Sequence, residues 1–212
     1  MNERAKILIV DDEPFNVDYL EQELEDLNYD TISASNGQEA LERIAVQLPA
    51  LVITDILMPK MDGFSFVQKL RTDSKTMQIP VIFLSATYVT PEDKKFALNL
   101  GAVRFLEKPV DTEDFLLTIA EVLTTGGGSA IPAPMSETDF FAGYRDRLEQ
   151  KLRHKNTQIA RTERLLQTLP DEQKPAFESL LNQAISDHDE IQAELNQLYK
   201  LLGEIDAGAP VP

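Results

Sequence analysis

Five short apolar runs punctuate the first part of the chain: KILIV, TISAS, LVIT, VIFLSA and VRFLEK. Longer stretches whose apolar residues recur with helical spacing separate them. Runs that are apolar on both sides of a strand belong to a parallel sheet covered on both faces, and the intervening stretches supply the crossover helices. Residues 1–123 are therefore expected to form one α/β domain of five strands and five helices. The fourth helix has the clearest start signal. Thr90 is placed to cap it, Pro91 suits the first helical position, and Asp93 favours the first turn.

The pattern changes at residues 124–135, TTGGGSAIPAPM, whose glycines and prolines carry neither period and read as a linker. Residues 136–206 hold almost no strand formers and predict two helices joined by a turn at LPDEQKP, residues 169–175. In the second helix Phe177, Leu181, Ala184, His188, Ile191, Leu195, Leu198, Leu202 and Ile205 alternate spacings of four and three, which is a heptad seam. The first helix offers Leu148, Leu152, Ile159, Leu166 and Leu169 in one register, with Lys155 and Thr162 interrupting it. Its charges include Arg145, Arg147, Lys151, Arg153, Lys155, Arg161 and Arg164, against Glu178, Asp187, Asp189, Glu190 and Glu194 in the second helix. That opposition favours an antiparallel hairpin or coiled coil. Two helices alone bury a seam poorly, so a homodimer forming a four-helix bundle is expected. Residues 207–212 read as a frayed tail or a further linker.

Composition narrows the chemistry. The 212 residues carry 36 acids against 20 bases, a formal charge of -16, which works against binding a phosphate backbone and suits cations or basic partners. No nucleic-acid partner is expected. The absence of cysteine excludes disulfides, thiolate metal sites and cysteine nucleophiles. The start MNERAKILIV lacks the features of a secretory leader, and no segment reaches membrane-spanning length, so a cytoplasmic protein without membrane insertion is expected.

In open parallel sheets, ligands bind beyond the carboxyl ends of the strands. Strand one ends at Asp11 and Asp12, strand three at Asp55 and strand four at Ser85, while strand five runs through Phe105 to Lys108 and Pro109. Three carboxylates, a hydroxyl and an ammonium thus converge on one edge. Clustered carboxylates repel unless a cation neutralises them, and Mg2+ fits, as a hard ion that takes few carboxylates and keeps positions open. Taken singly, these residues have plainer readings. Asp11 and Asp12 could cap the following helix, Lys108 could be a surface lysine, and Phe105 could be core.

Together, "VDDEP", "DILMPKMDG", "LSA" and "EKP" stand in the order and near the spacing of a known family. Residues 1–123 resemble the response-regulator receiver domain of two-component signalling. The resemblance implies a flavodoxin-like sheet ordered 2-1-3-4-5. It also implies that Asp55 is the phospho-acceptor and that Asp11, Asp12, Asp55 and the backbone carbonyl of Leu57 hold Mg2+. Ser85 and Lys108 would contact the phosphoryl group, and Ser85 and Phe105 would form the switch. Leu57 and Thr87 stand beside the site. A sensor histidine kinase or phosphotransfer protein is the implied donor, and the chain would promote its own phosphorylation without a separate catalytic domain.

The output is expected to be a helical dimerisation or interaction module, because residues 136–212 contain no recognisable DNA-binding, nucleotide-binding or metal motif. Two other readings stand beside it. His188, an ionisable residue on the seam of a bundle helix, could carry a phosphoryl group in a relay, although a polar seam residue that sets register is the plainer reading. His154, in LRHKN, reads as part of a solvated basic face. The helices could instead be a signalling coiled coil cut from a larger protein with a catalytic output domain.

Overall fold

The computed structural model describes residues 4–86, 89–125 and 132–206. The middle of the linker at 126–131, the tail at 207–212 and Thr87 lie outside the described residues, as does the side chain of Ile205. The chain divides into two compact units, with the boundary between Ser136 and Glu137.

The first unit alternates strand and helix throughout: β1 Lys6–Val10, α1 Pro14–Asp26, β2 Asp30–Ala34, α2 Gly37–Val46, β3 Leu51–Thr54, α3 Gly63–Thr72, β4 Val81–Ser85, α4 Pro91–Asn99, β5 Arg104–Glu107 and α5 Thr112–Thr125. All four strand pairings are parallel, and the sheet order is β2-β1-β3-β4-β5. This is the flavodoxin-like arrangement. The chain moves outward in one direction from β1 to β2, then returns past β1 to build β3, β4 and β5. The reversal leaves the carboxyl ends of β1 and β3 side by side, where such sheets bind ligands.

Both faces of the central strands are buried, for the reason the apolar runs suggested. Ile7, Ile9, Leu51, Ile53, Ile82 and Leu84 point one way and pack with Leu20 and Leu24 of α1 and Phe115, Ile119 and Val122 of α5. The alternate residues Leu8, Val10, Val52 and Phe83 are equally enclosed. On that face the Phe83 ring lies 5.1 Å from Phe64, which in turn meets Phe96 edge-on at 5.2 Å. The edge strands are less covered, β2 and β5 both being largely half-buried. β5 stops at Glu107, one residue short of Lys108, and Pro109 cannot supply the backbone N–H that a continued ladder would need.

Helix ends follow local chemistry. Thr90 and Asp93 form a reciprocal capping box at α4, each side chain accepting the other's backbone N–H at 3.2 Å. Asn36 caps α2 by accepting the Glu39 N–H at 3.0 Å. The Glu39 carboxylate accepts the backbone N–H and hydroxyl of Ser35 and pairs with Arg43, and these contacts hold its pKa down at about 2. Arg71 is the largest wholly enclosed side chain, and backbone oxygens receive its guanidinium: Met77 at 3.1 Å, Ile79 at 3.0 Å and Gly101 at 2.9 Å. It ties the end of α3 to the segments that enter β4 and β5. Burial lowers its pKa to about 10.

The second unit consists of two long helices packed on each other, α6 Glu137–Leu166 and α7 Lys174–Asp206. They run antiparallel: Tyr144 donates to Glu194, Lys155 pairs with Asp187 at 2.5 Å, and Tyr199 donates to Glu149 at 2.8 Å. Ala184, Leu195 and Leu198 of the heptad seam are buried, as are Phe140, Tyr144, Leu148 and Leu152 opposite. Lys155, which interrupts the apolar register of α6, is accommodated by its ion pair across the seam. No helix among the described residues is long and apolar enough to cross a membrane.

Two measurements check this account. Arg71→Met leaves buried carbonyls without their donor and is expected to cost at least roughly 1–3 kcal/mol in urea unfolding. Partial burial alone would raise the Asp187 pKa, but Lys155 and Gln183 more than offset it and hold the pKa below the ordinary 3.8. The pair's stabilisation is thus fully present above 3.8 and is lost as pH falls through the lower folded value. For so exposed a pair the gain is about 0.2–1 kcal/mol. Asp187→Asn should remove that part of the acid dependence of α6–α7 unfolding, followed by circular dichroism.

Candidate functional site

The carboxyl ends of β1, β3 and β4 and the residue after β5 bring four side chains to one edge of the sheet. Asp11 follows β1 and its backbone N–H bonds the Ala34 carbonyl at 3.1 Å; Asp55 follows β3 and its backbone N–H bonds the Val10 carbonyl at 2.8 Å. The sheet ladder therefore continues through both acids and fixes their backbones. The buried Thr54 hydroxyl adds a bond of 2.8 Å to the Asp55 carbonyl oxygen. Rigid strand ends of this kind hold a reactive group more precisely than a free loop does.

Lys108 joins the two acids. Its Nζ lies 2.6 Å from Asp11 Oδ2 and 2.7 Å from Asp55 Oδ2, while its backbone N–H bonds the Ser85 carbonyl at 3.0 Å. Burial on its own would lower the lysine pKa, but the fields and hydrogen bonds of Asp55 and Asp11 outweigh burial and hold it above the ordinary value. The lysine is firmly charged and is no surface residue, its side chain being 18% exposed. Asp55 Oδ1 accepts its neighbour's N–H, that of Ile56, at 2.5 Å.

Asp12 is exposed, and its pKa is raised by partial burial first and then by the fields of Asp11, Asp55 and Glu13. One Lys108 ammonium against three carboxylates leaves the cluster net negative. All of its donors are hard carboxylate oxygens, the chemistry that Mg2+ takes. Among the described residues no three acids or histidines already form a metal-holding group. Neither Asp11 nor Asp12 caps α1. The N-cap is Glu13, which makes no side-chain cap, and Asp11 takes the Glu13 N–H and the Asn16 side chain instead.

Ser85 is wholly buried at the end of β4 and lies in register with Glu107 of β5. Phe105, in register with Phe83, is half-buried with its ring 6.4 Å from that neighbour. Leu57 is half-buried in the loop after Asp55. His188 is in the second unit, its side chain 24% exposed and its Nδ1 3.1 Å from Asp189 Oδ1.

Sequence reasoning passed over three residues that shape the site. Asp62 caps α3 by accepting the Ser65 N–H at 2.9 Å and hydroxyl at 2.7 Å. Gly63 closes the loop after Asp55 with a bond from its N–H to the Ile56 carbonyl at 2.8 Å. A Cβ on Gly63 would stand 2.1 Å from the Asp55 carbonyl oxygen, so only glycine fits. The Asp-Gly pair before a helical pattern was the available signal. The third is Asn16, whose amide contacts both oxygens of Asp11.

Residues 7–120 match the family model described as the response regulator receiver domain. The chain is 38% identical over 124 residues to the response regulator Rre1 of Synechocystis, covering 58% of this chain and 53% of that protein. It is 36% identical over 132 residues to the alkaline phosphatase synthesis transcriptional regulatory protein PhoP of Bacillus subtilis, covering 62% and 52%. The chain thus spans about half the length of these two relatives. A 14.6 kDa protein of Leptolyngbya boryana is 37% identical and is matched over 87% of its own length. Among solved structures, the CheY-like receiver domain protein of Methanospirillum hungatei aligns with a TM-score of 0.55 at 30% identity, covering 60% of this chain and all of that one. The chemotaxis response regulator CheY4 of Vibrio cholerae aligns with a TM-score of 0.53 at 33% identity, covering 57% and 99%.

Gly63→Ala should displace the Asp55 backbone and cost about 1–3 kcal/mol by overpacking. Urea unfolding of the variant checks this, and an unchanged midpoint would show that the loop has room.

Proposed function

The chain belongs to the response-regulator receiver family of two-component signalling through residues 7–120, and on that premise we propose that Asp55 accepts a phosphoryl group from a sensor histidine kinase or a phosphotransfer protein. Members of this family are phosphorylated by such donors and generally bind Mg2+ to be so. The observation that carries the proposal is the Lys108 ammonium held 2.7 Å from Asp55 and 2.6 Å from Asp11 at the carboxyl edge of the sheet.

A carboxylate oxygen of Asp55 forms the new bond to phosphorus as the bond from phosphorus to the donor's imidazole nitrogen breaks, and the leaving imidazole keeps its electron pair and takes up a proton. Such a transfer asks the protein mainly for in-line positioning and for neutralising charge on the equatorial oxygens. The strand end positions Asp55. Lys108 turns its charge from the carboxylates to a phosphoryl oxygen. Asp11, Asp12, Asp55 and the Leu57 carbonyl are the residues that would hold Mg2+, which when bound supplies charge neutralisation at the phosphoryl oxygens. Ser85 moves toward the added oxygens, and Phe105, half-buried beside Phe83, turns into the space released.

The output assigned to the α6–α7 hairpin is self-association rather than DNA binding. Support comes from the seam residues Phe177, Leu181, Ile191, Ile159 and Leu166, which one hairpin leaves only half-buried. The formal charge of -16 adds to it. A second hairpin would complete a four-helix bundle. Some relatives carry names of DNA-binding or transcriptional regulators, but the similarity to them spans 56–62% of this chain. His188 is assigned to the seam as a polar residue that sets register. A cytoplasmic location belongs to the same reading.

Wild type, Asp55→Ala and His188→Ala, treated with a small phosphodonor and Mg2+, should separate in intact mass: one added phosphoryl in wild type and His188→Ala, none in Asp55→Ala. Light scattering on the same samples should give a dimer at micromolar protein, with a changed assembly after phosphorylation. Unmodified wild type would overturn the phospho-acceptor assignment. A monomer throughout would overturn the assignment of the hairpin.

A further inference from the structure

Asp11 is the most enclosed acid of the site, and both of its oxygens are engaged. Oδ1 accepts the Glu13 N–H at 3.0 Å and the Asn16 Nδ2 at 3.1 Å; Oδ2 accepts Lys108 Nζ at 2.6 Å and the same Asn16 amide at 3.2 Å. Asn16 stands in the first turn of α1, yet its side chain is turned to the carboxylate and the helix has no side-chain cap. A single amide that touches both oxygens fixes the rotation of the carboxylate plane. An ammonium on one oxygen is a point charge at the end of a flexible stem and constrains that rotation little.

The consequence rests on the function proposed above. When Lys108 turns to a phosphoryl oxygen, Asp11 loses its one charged partner and keeps the Glu13 N–H and Asn16. We infer that Asn16 is a positioning residue that acts through Asp11: its amide holds the carboxylate so that Oδ2 faces the centre of the site, and it thereby sets the affinity for the divalent cation. Groups hydrogen-bonded behind a metal-binding carboxylate typically change metal affinity by about 10–100-fold when removed.

Asn16→Leu keeps the branching at Cγ and removes both donors, and Asn16→Ala removes the side chain beyond Cβ. Calorimetric titration of the full chain with Mg2+ alone, without phosphodonor, should give a Kd raised by about 10–100-fold in both variants. Without Mg2+ each variant should still unfold in one cooperative thermal transition. Their phosphorylation rate with a small phosphodonor should return to the wild-type value once Mg2+ is saturating. If one variant fails to fold, the other decides. An unchanged Kd overturns the inference, as does a rate that stays depressed at saturating Mg2+. Wild type that takes up no Mg2+ overturns the function on which the inference rests, and the inference with it, so the two failures are told apart by the wild-type titration.

Discussion

One ammonium shared by two carboxylates is the interaction around which the receiver unit is arranged. Lys108 reaches Asp11 and Asp55 because β1, β3, β4 and β5 end on the same edge of a parallel sheet. The ladder bonds that carry each acid to that edge are those that close the sheet, so fold and site have a common origin. A shared lysine is a partial solution to crowding three acids. It neutralises one charge of three and leaves the cluster net negative. A site in this condition gains from anything that brings positive charge.

The hairpin solves a related problem with different groups. Lys155 falls where an apolar residue would continue the seam of α6, and Asp187 meets it there. Tyr144 and Glu194, and Tyr199 and Glu149, add polar bonds along the same pairing. Such contacts add little net stability when partly exposed. Their value is in register, because sliding one helix along the other separates every pair together.

The sheet was legible in the sequence because its central strands are buried on both faces and so read as unbroken apolar runs. Edge positions were less so: β5 stops before Lys108, at the point where Pro109 ends the ladder. Asp11, Asp55, Ser85 and Lys108 could be placed at one edge from the strand ends alone, since topology fixes which ends meet. The bonds among them could not, because they depend on rotamers and on the loop after Asp55. Gly63 is required by an approach of 2.1 Å between a Cβ and a carbonyl oxygen, and no periodicity carries that information. Asn16 left no trace either, since one polar residue on a helix looks like any other until its neighbour's orientation is known. In the hairpin, the interruption of the seam at Lys155 was visible, but its resolution by Asp187 required the pairing of the two helices.

The most direct measurement locates the modified residue itself. After treatment with a small phosphodonor and Mg2+, reduction with borohydride converts an aspartyl phosphate to homoserine, and peptide mass mapping then reads its position. Homoserine at residue 55 alone is the predicted result. Homoserine at residue 11 or 12, or a phosphorylated chain that yields no homoserine anywhere, would contradict an account built on Asp55 at the end of β3.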